Sequence, residues 1–443
     1  MPASAWSRAL ELAERTPETR NRYVDFLRAA SICIVVIGHW LMAAPSIGGG
    51  GFSLGDMLRD APWSQWLTWL FQVMPLFFIV GGYANAISWD SASRAPDQGF
   101  GTWSGSRLRR LVVPVVPLVL VWAGLALLAG GVGVPREMVK IGSQVAFIPT
   151  WFLAVYVMVV VVSPATYGLW RRFGLASFWG LALGAAAVDA VAFNLHMGWL
   201  RWANYGFVWL GVHQLGYLWR DGRLAGPRAL WWAAGGLALL IFLVTFCNYP
   251  VSMITVPGEE LSNSRPPTLA LLALGVFHGG LVLAAEAPAR RWLRRRNAWA
   301  ATVLVNGSIM TLYLWHATVM VLLVGLAYWL GGIGLHYAPA SGIWWATRPL
   351  WIALLLMGLA GFLALFARYE QRGARAGSHA AAPAWQNVLG AVAVCWGLAA
   401  LTFGGISDDG AAGLRFWVVL ATLAGAALVS GRGVFPPRVA PPR

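Results

Sequence analysis

Apolar stretches of about 20 residues, the length that crosses a bilayer core, recur from one end of this chain to the other, with short arginine clusters between them. Twelve can be marked, near 27–45, 66–88, 111–130, 150–169, 175–194, 203–219, 229–247, 268–286, 308–330, 349–367, 386–404 and 415–431. The apolar region 298–330 is too long for one perpendicular crossing, so 298–306 is read as an interfacial lead-in to the ninth span. A length of 443 residues would otherwise suggest two or three soluble domains, but 58% hydrophobic residues, 11% charged residues and a mean hydropathy of +0.64 describe no water-facing surface. The expected fold class is all-α, a polytopic transmembrane helical bundle of about twelve spans with the lipid bilayer as its solvent.

The 32 basic residues, all arginine except Lys140, outnumber the 17 acidic ones and give a net charge of +15. The arginines lie in short loops rather than in one folded basic domain, so no nucleic-acid partner is expected. With both termini in the cytosol, 25 basic residues fall on the cytosolic side and seven outside, the latter from Arg59 to Arg415. Because that bias persists through all twelve alternations, it supports the span count and the orientation together. The expected location is the cell inner (plasma) membrane. Along the chain this gives a cytosolic N-terminal segment 1–22, a ten-span body 23–367, a cytosolic linker 368–385, two additional spans within 386–431 and a disordered tail 432–443. Cys33, Cys247 and Cys395 lie inside apolar runs without paired spacing, so neither a disulfide nor a metal site is expected. The N-terminus carries Glu11, Glu14 and Glu18 and no apolar core before a cleavage site, so the first apolar run is a retained span.

An ionisable side chain inside the membrane costs a few kcal/mol on insertion scales, so each one asks for a reason. His39, His213, His278, His316 and Asp189 qualify. For His213, His278 and Asp189 the commoner explanation is a hydrogen-bonded bridge between helices. His39 differs because Arg28 precedes it by eleven residues: eleven steps of about 100° end roughly 20° past three full turns and rise about 16 Å, placing both on one helix face at two depths. Asp25 lies on the same stripe, where it could orient the guanidinium. Histidine suits the deep end because its ordinary pKa of about 6.5 lets it accept a proton from a hydroxyl at neutral pH. Arginine suits the shallow end because its planar, permanently charged fork grips phosphate.

The segment containing Arg28 and His39, YVDFLRAASICIVVIGHW, resembles the opening helix of the acyltransferase 3 family of membrane acyltransferases, whose signature is a basic residue, ten others and then histidine. Phe77, Phe78, Ile79, Val80, Gly81 and Gly82 are similar to the family's FFxxSG motif, with glycine in place of the serine. Arg107 to Arg110, followed by Pro114, fits its RxxR motif; Trp151, Phe152 and Leu153 with Tyr156 and Ser163-Pro164 resemble its WFL segment; Tyr313, Leu314, Trp315 and His316 resemble its YLxH segment. The matches run in order from about 23 to 330. The resemblance implies an integral-membrane O-acyltransferase that moves an acyl group, often acetyl, from cytosolic acyl-CoA to a hydroxyl of a carbohydrate or other envelope or secreted acceptor. The last two spans are additional to the ten usual for the family.

On this reading His39 is the general base or a transient acyl carrier, with Arg28 and Asp25 completing its stripe. Arg28, Arg107 and Arg110 are the donor phosphate contacts, and His316 and Tyr313 a second proton relay or the oxyanion donor. Trp151, Tyr156, Phe77 and Phe78 are candidates to line the substrate path, with no metal. The bland counterparts are positive-inside topology for the arginines, helix bridging for His316 and Tyr313, and interfacial or core packing for any one of the 27 tryptophans. The rival class is a secondary transporter or flippase of an envelope precursor, which gains no support from any visible internal repeat. The loop 248–267 is long enough to touch an acceptor and is read first as an ordinary polar loop. Cysteines introduced as Asp60→Cys and Glu137→Cys are expected to react with a membrane-impermeant thiol reagent in intact cells, while Gly222→Cys and Arg375→Cys are not; labelling of the second pair would overturn the orientation.

Overall fold

In the computed structural model, residues 5–49, 51–96, 98–224, 226–375, 382–408, 410 and 413–431 are described. Every one of the twelve apolar stretches carries helix. The chain is a multi-pass membrane protein of all-helical class: among the described residues nine helices are long and apolar enough to cross a membrane, or ten if Leu269–Ala284 and Glu286–Trp292, bent by 51°, form one span. The expectation of about twelve thus exceeds what length and composition carry. The two short members are Asn204–Arg220, of 17 residues, and Phe416–Ser430, of 15. The first is polar for a span because it is buried on nearly every side, from Gly211 to Trp219 without interruption, so its neighbours are protein.

Local chemistry sets several boundaries that periodicity alone misses. The second span, Pro62–Arg94, contains the expected 66–88, but its long helix begins only at Met74, because Pro75 has no N–H to give to a preceding turn and Pro62–Leu67 and Thr68–Phe71 form separate short helices. The first membrane helix, Arg22–Met42, ends early and passes into an antiparallel hairpin, Ala43–Gly48 with Gly51–Asp56, a departure from all-helix that Gly48, Gly49 and Gly51 permit. The start of the linker 368–385 is helical: Gly342–Arg375 continues past the membrane because its charged end contains good helix formers and no proline after Pro349. Residues 376–381 of that linker and the tail 432–443 lie outside the described residues. The stretch 298–330 divides at Gly307 into Arg296–Asn306 and Ile309–Trp329.

The chain forms two compact units. The first comprises Met1–Ser88, Ser163–Gly307 and Gly332–Pro349. In it, helices Met74–Arg94 and Asn204–Arg220 meet at glycines: a Cβ on Gly82 would run into the His213 carbonyl oxygen, and one on Gly216 would sit 2.5 Å from the Tyr83 nitrogen. Such contact lets backbones pack where lipid offers no hydrophobic drive between helices. The loop 248–267 is no ordinary polar loop, for it folds inward. Asn263, fully buried, donates to the carbonyls of Pro250 at 2.7 Å and Ser252 at 3.0 Å. Trp69 Nε1 donates to the Val251 carbonyl at 2.7 Å and the Met253 amide to Thr68 Oγ1 at 2.9 Å, fastening the loop to the short helices before Met74.

The second unit comprises Trp89–Val162, Ser308–Gly331 and Leu350–Arg443. Its helices Ala384–Gly404 and Phe416–Ser430 cross at a second close approach, where a Cβ on Gly390 would stand 2.7 Å from the Gly425 carbonyl oxygen and one on Gly425 2.7 Å from that of Gly390. Gly216→Leu, which forces a branched side chain into the first of these crossings, is expected to lower stability by about 1–3 kcal/mol in thermal or denaturant unfolding of the detergent-solubilised protein. Gly168→Ala, in open space on Thr150–Phe173, is expected to hold or raise stability.

Candidate active site

In the first unit the opening helix is fixed at its base by a set of directed bonds. Asn21 caps it, accepting from the amides of Tyr23 and Val24, and donates to Tyr83 Oη at 3.0 Å. The Tyr23 hydroxyl donates to the Val282 carbonyl at 2.5 Å, and Arg22 to that of Leu293 at 3.2 Å. Asp25 is buried, but it does not orient Arg28: its carboxylate pairs with Arg20 Nε at 2.6 Å, five residues back across the cap, while its backbone carbonyl accepts from Asn306 at 2.8 Å. The ion pair raises the pKa of the Arg20 guanidinium, chiefly through the hydrogen bond.

Arg28 is half-buried and has no hydrogen bond or ion pair to any other described residue. The helix runs unbroken from Arg28 to His39, so the shared face and the rise of about 16 Å hold. His39, also half-buried, sits in the last turn, where its carbonyl takes the Ala43 amide, so the histidine lies one turn from the hairpin rather than at the helix centre. Phe78 is wholly buried and stacks on Trp209 with ring centroids 4.3 Å apart, which makes it a packing residue and not a wall of a substrate path; Phe77 is half-buried.

The other intramembrane groups of this unit each make at least one hydrogen bond, while the Nδ1 atoms of His213 and His278 are buried with no partner among the described residues. His278 Nε2 lies 2.9 Å from the Trp69 carbonyl, and Asp189 accepts from Asn204 Nδ2 at 2.8 Å, Tyr249 Oη at 2.9 Å and the Leu269 amide at 2.7 Å. His213 Nε2 lies 3.2 Å from Asn85 Nδ2. Asn85 drew no attention in the sequence, where a single asparagine beside the phenylalanine motif carries no pattern.

In the second unit the WFL and YLxH segments meet. The Tyr313 hydroxyl donates to the Pro149 carbonyl just before Trp151, and its ring stands edge-on to Phe152 at 6.0 Å, with Phe152 stacked on Tyr156 at 5.9 Å. With its proton so engaged, Tyr313 ties the two segments together and has none to offer an oxyanion. His316 is fully buried, its Nδ1 2.7 Å from the Tyr313 carbonyl one turn back. Trp151 and Tyr156 are half-buried. Arg107 and Arg110 occupy the helix Phe100–Val112, Arg107 with its guanidinium 6.0 Å from the Trp103 ring and Arg110 exposed.

Glu370 went unnoticed in the sequence. Its carboxylate accepts from the Met310 amide at 3.0 Å, the Thr311 amide at 2.9 Å and the Thr311 hydroxyl at 2.6 Å, capping the helix that bears Tyr313 and His316. Burial pushes its pKa up. The available signal was an acid in a segment otherwise rich in arginine, just past an apolar run. Among the described residues no group of three or more histidine, cysteine or acidic side chains is arranged to hold a metal.

The family model described as an acyltransferase domain matches residues 21–326. This chain belongs to the acyltransferase 3 family. The match spans the opening helix with Arg28 and His39, the arginine pair, and the WFL and YLxH segments, and it stops short of Glu370 and the last two helices. No curated protein and no solved structure matches the chain. For this membrane acyltransferase, Tyr313→Phe is expected to lower unfolding free energy by about 1 kcal/mol, the usual worth of one hydrogen bond, while turnover stays of the same order; a collapse of turnover in a stably folded variant would restore the hydroxyl to the chemistry.

Proposed function

We propose that this acyltransferase takes its acyl group, commonly acetyl in the family it belongs to, from cytosolic acyl-CoA. The acceptor is a hydroxyl of a carbohydrate or another molecule destined for the envelope or for secretion. The observation that carries the reading is Arg28: a guanidinium half-buried in the first membrane helix, without a hydrogen bond or ion pair to any other described residue, on the same helix face as His39. Burying a permanent charge is costly unless something pairs it. A phosphate of the donor supplies that partner in geometry suited to the arginine fork. The enzyme sits in the inner membrane with both termini cytosolic, and the short buried helix Asn204–Arg220 and Phe416–Ser430 complete twelve crossings.

In the reaction His39 accepts the proton of the acceptor hydroxyl as its oxygen attacks the thioester carbonyl. Collapse of the tetrahedral intermediate breaks the carbon–sulfur bond, and the proton held by His39 passes to the departing CoA sulfur. If His39 acts as acyl relay instead, its neutral imidazole attacks the thioester carbonyl, the carbon–sulfur bond breaks and CoA leaves as the thiol with the ring proton; the acceptor hydroxyl then attacks the acyl-imidazole and its proton returns to the ring as the ester forms. Arg28, Arg107 and Arg110 bind donor phosphate, and Trp151, Tyr156 and Phe77 line the path of acyl group or acceptor. His316, whose Nδ1 lies 2.7 Å from the Tyr313 carbonyl, serves as a second proton relay.

The test separates the two ends of the helix. Arg28→Lys keeps the charge and loses the fork, so it is expected mainly to weaken acyl-CoA binding; His39→Gln keeps a hydrogen-bonding side chain that cannot cycle a proton, and is expected to bind acyl-CoA normally and lose about 10²- to 10⁴-fold in rate. Turnover of radiolabelled acyl-CoA by the purified protein is the measurement. A His39→Gln protein that transfers at the parental rate would remove the base from this mechanism, and a parental protein that moves an envelope precursor across a vesicle membrane without turning over acyl-CoA would make it a transporter.

A further inference from the structure

The two C-terminal helices lie beyond the part of the chain that the acyltransferase match covers, 21–326, yet the first of them, Ala384–Gly404, is bonded to the segments that carry its motifs. Asn387, fully buried, donates through Nδ2 to the Gly101 carbonyl at 2.8 Å and lies 3.2 Å from Ser104 Oγ. Gly105 faces the same amide so closely that a Cβ there would sit 3.1 Å from Asn387 Nδ2. These contacts take one stripe of the helix Phe100–Val112. At about 100° per residue Arg107 and Arg110 stand roughly 60° and 120° round from Ser104, on the side away from Gly101 and Gly105. The asparagine therefore holds the face of this helix turned away from the two arginines.

Farther along Ala384–Gly404, bonding moves to the turn that leads into the WFL segment. Thr402 Oγ1 lies 3.0 Å from the Phe147 carbonyl and 3.2 Å from Thr150 Oγ1, and Cys395 Sγ lies 3.2 Å from the Ala154 carbonyl. Phe147 ends the helix Arg136–Phe147, so its carbonyl has no partner within that helix; it takes the Thr150 hydroxyl at 2.8 Å as well as Thr402, whose hydroxyl is shared with the Leu398 carbonyl at 2.8 Å. Ser143 Oγ accepts the Ile406 amide at 2.9 Å, and Gln144 donates to the Phe403 carbonyl at 2.6 Å. Apolar contact between membrane helices is readily replaced by lipid tails, but a backbone carbonyl or a buried amide that loses its partner is not compensated there. Bonds of this kind set the axial position of one helix against another.

We infer that the pair Ala384–Gly404 and Phe416–Ser430 is a brace that positions the arginine helix and the WFL segment for the donor, with Asn387 and Thr402 as its positioning residues. The inference rests on the acyl-CoA reading above.

The test uses the full chain, with coenzyme A itself as the binding probe, so that acyl preference plays no part. Asn387→Leu keeps side-chain size and deletes the bonds to Gly101 and Ser104. It is expected to speed amide hydrogen exchange in 100–112 while leaving 22–42 unchanged, and to weaken coenzyme A binding roughly tenfold, the worth of one buried hydrogen bond. The KM for acyl-CoA is expected to rise with kcat of the same order. If that variant fails to fold, Thr402→Val serves, with faster exchange expected in 147–154 and recovery in Thr402→Ser, which restores the hydroxyl. Unchanged exchange, or coenzyme A binding equal to that of a parental protein that binds it, overturns the brace alone. A parental protein with no affinity for coenzyme A overturns the donor reading, and the brace's role toward the donor falls with it.

Discussion

Lipid offers no hydrogen bonds, so a backbone that crosses it must satisfy its own polar groups or find a side chain to do so. Continuous helix meets that demand in spans such as Leu175–Asn194. Where a helix stops inside the protein, the first amides and last carbonyls have no internal partner, and the places where this chain stops are where its polar side chains gather. Before Met74 the Trp69 carbonyl takes His278; at 147–150 the carbonyls of Phe147 and Pro149 take Thr402 and Tyr313; at Ser308 the amides of Met310 and Thr311 take Glu370. Each of these groups costs several kcal/mol if left unpaired in hydrocarbon, so the breaks bind distant parts of one unit together more firmly than apolar packing does.

The breaks also fall beside the family's motifs. Phe77 and Phe78 follow the break before Met74, Trp151 follows Pro149, and Tyr313 follows Ser308 by little more than one turn. A residue one turn from a helix end is held by the bonds that close that end. His39 fits the pattern from the other direction, sitting in the last turn before the chain leaves helix for the hairpin at Ala43. The motif side chains are thus mounted next to strongly constrained backbone, and glycine crossings such as Gly82 with Gly216 bring the supporting helices close together.

What was legible in the sequence follows from the same physics. Apolar length is written residue by residue, so a helix was foreseen at every one of the twelve stretches, and the acyltransferase motifs named the family that the match over 21–326 bears out. Helix ends were less legible, because they depend on bonds to residues far along the chain: the long helix of the second span starts late, at Met74, and Gly342–Arg375 outruns its apolar part. Pairing was least legible. The stripe that links Asp25 to Arg28 is real as helix geometry, yet the carboxylate turns to Arg20, and nothing local to Glu370 announces an amide 60 residues away. The hairpin after the first helix was missed because a short glycine-rich stretch next to an apolar run reads as a loop by periodicity.

Intramembrane ionisable groups are often taken as functional in proportion to their cost, and this chain shows why cost alone is a poor guide. Asp189 is wholly buried and would be the first choice on that ground, but three donors meet its carboxylate and leave its presence explained by structure. His278 likewise holds a backbone carbonyl at a helix break. Arg28 is less buried than either, and no other described residue meets its charge. A cation kept at that depth without a partner among the described residues is tolerable near the end of a helix, where a long side chain can reach toward the interface, and in the proposed orientation that is also where a phosphate-bearing donor would arrive. The candidate for ligand binding is therefore selected by the bond the protein leaves unmade, at a position where leaving it unmade costs least.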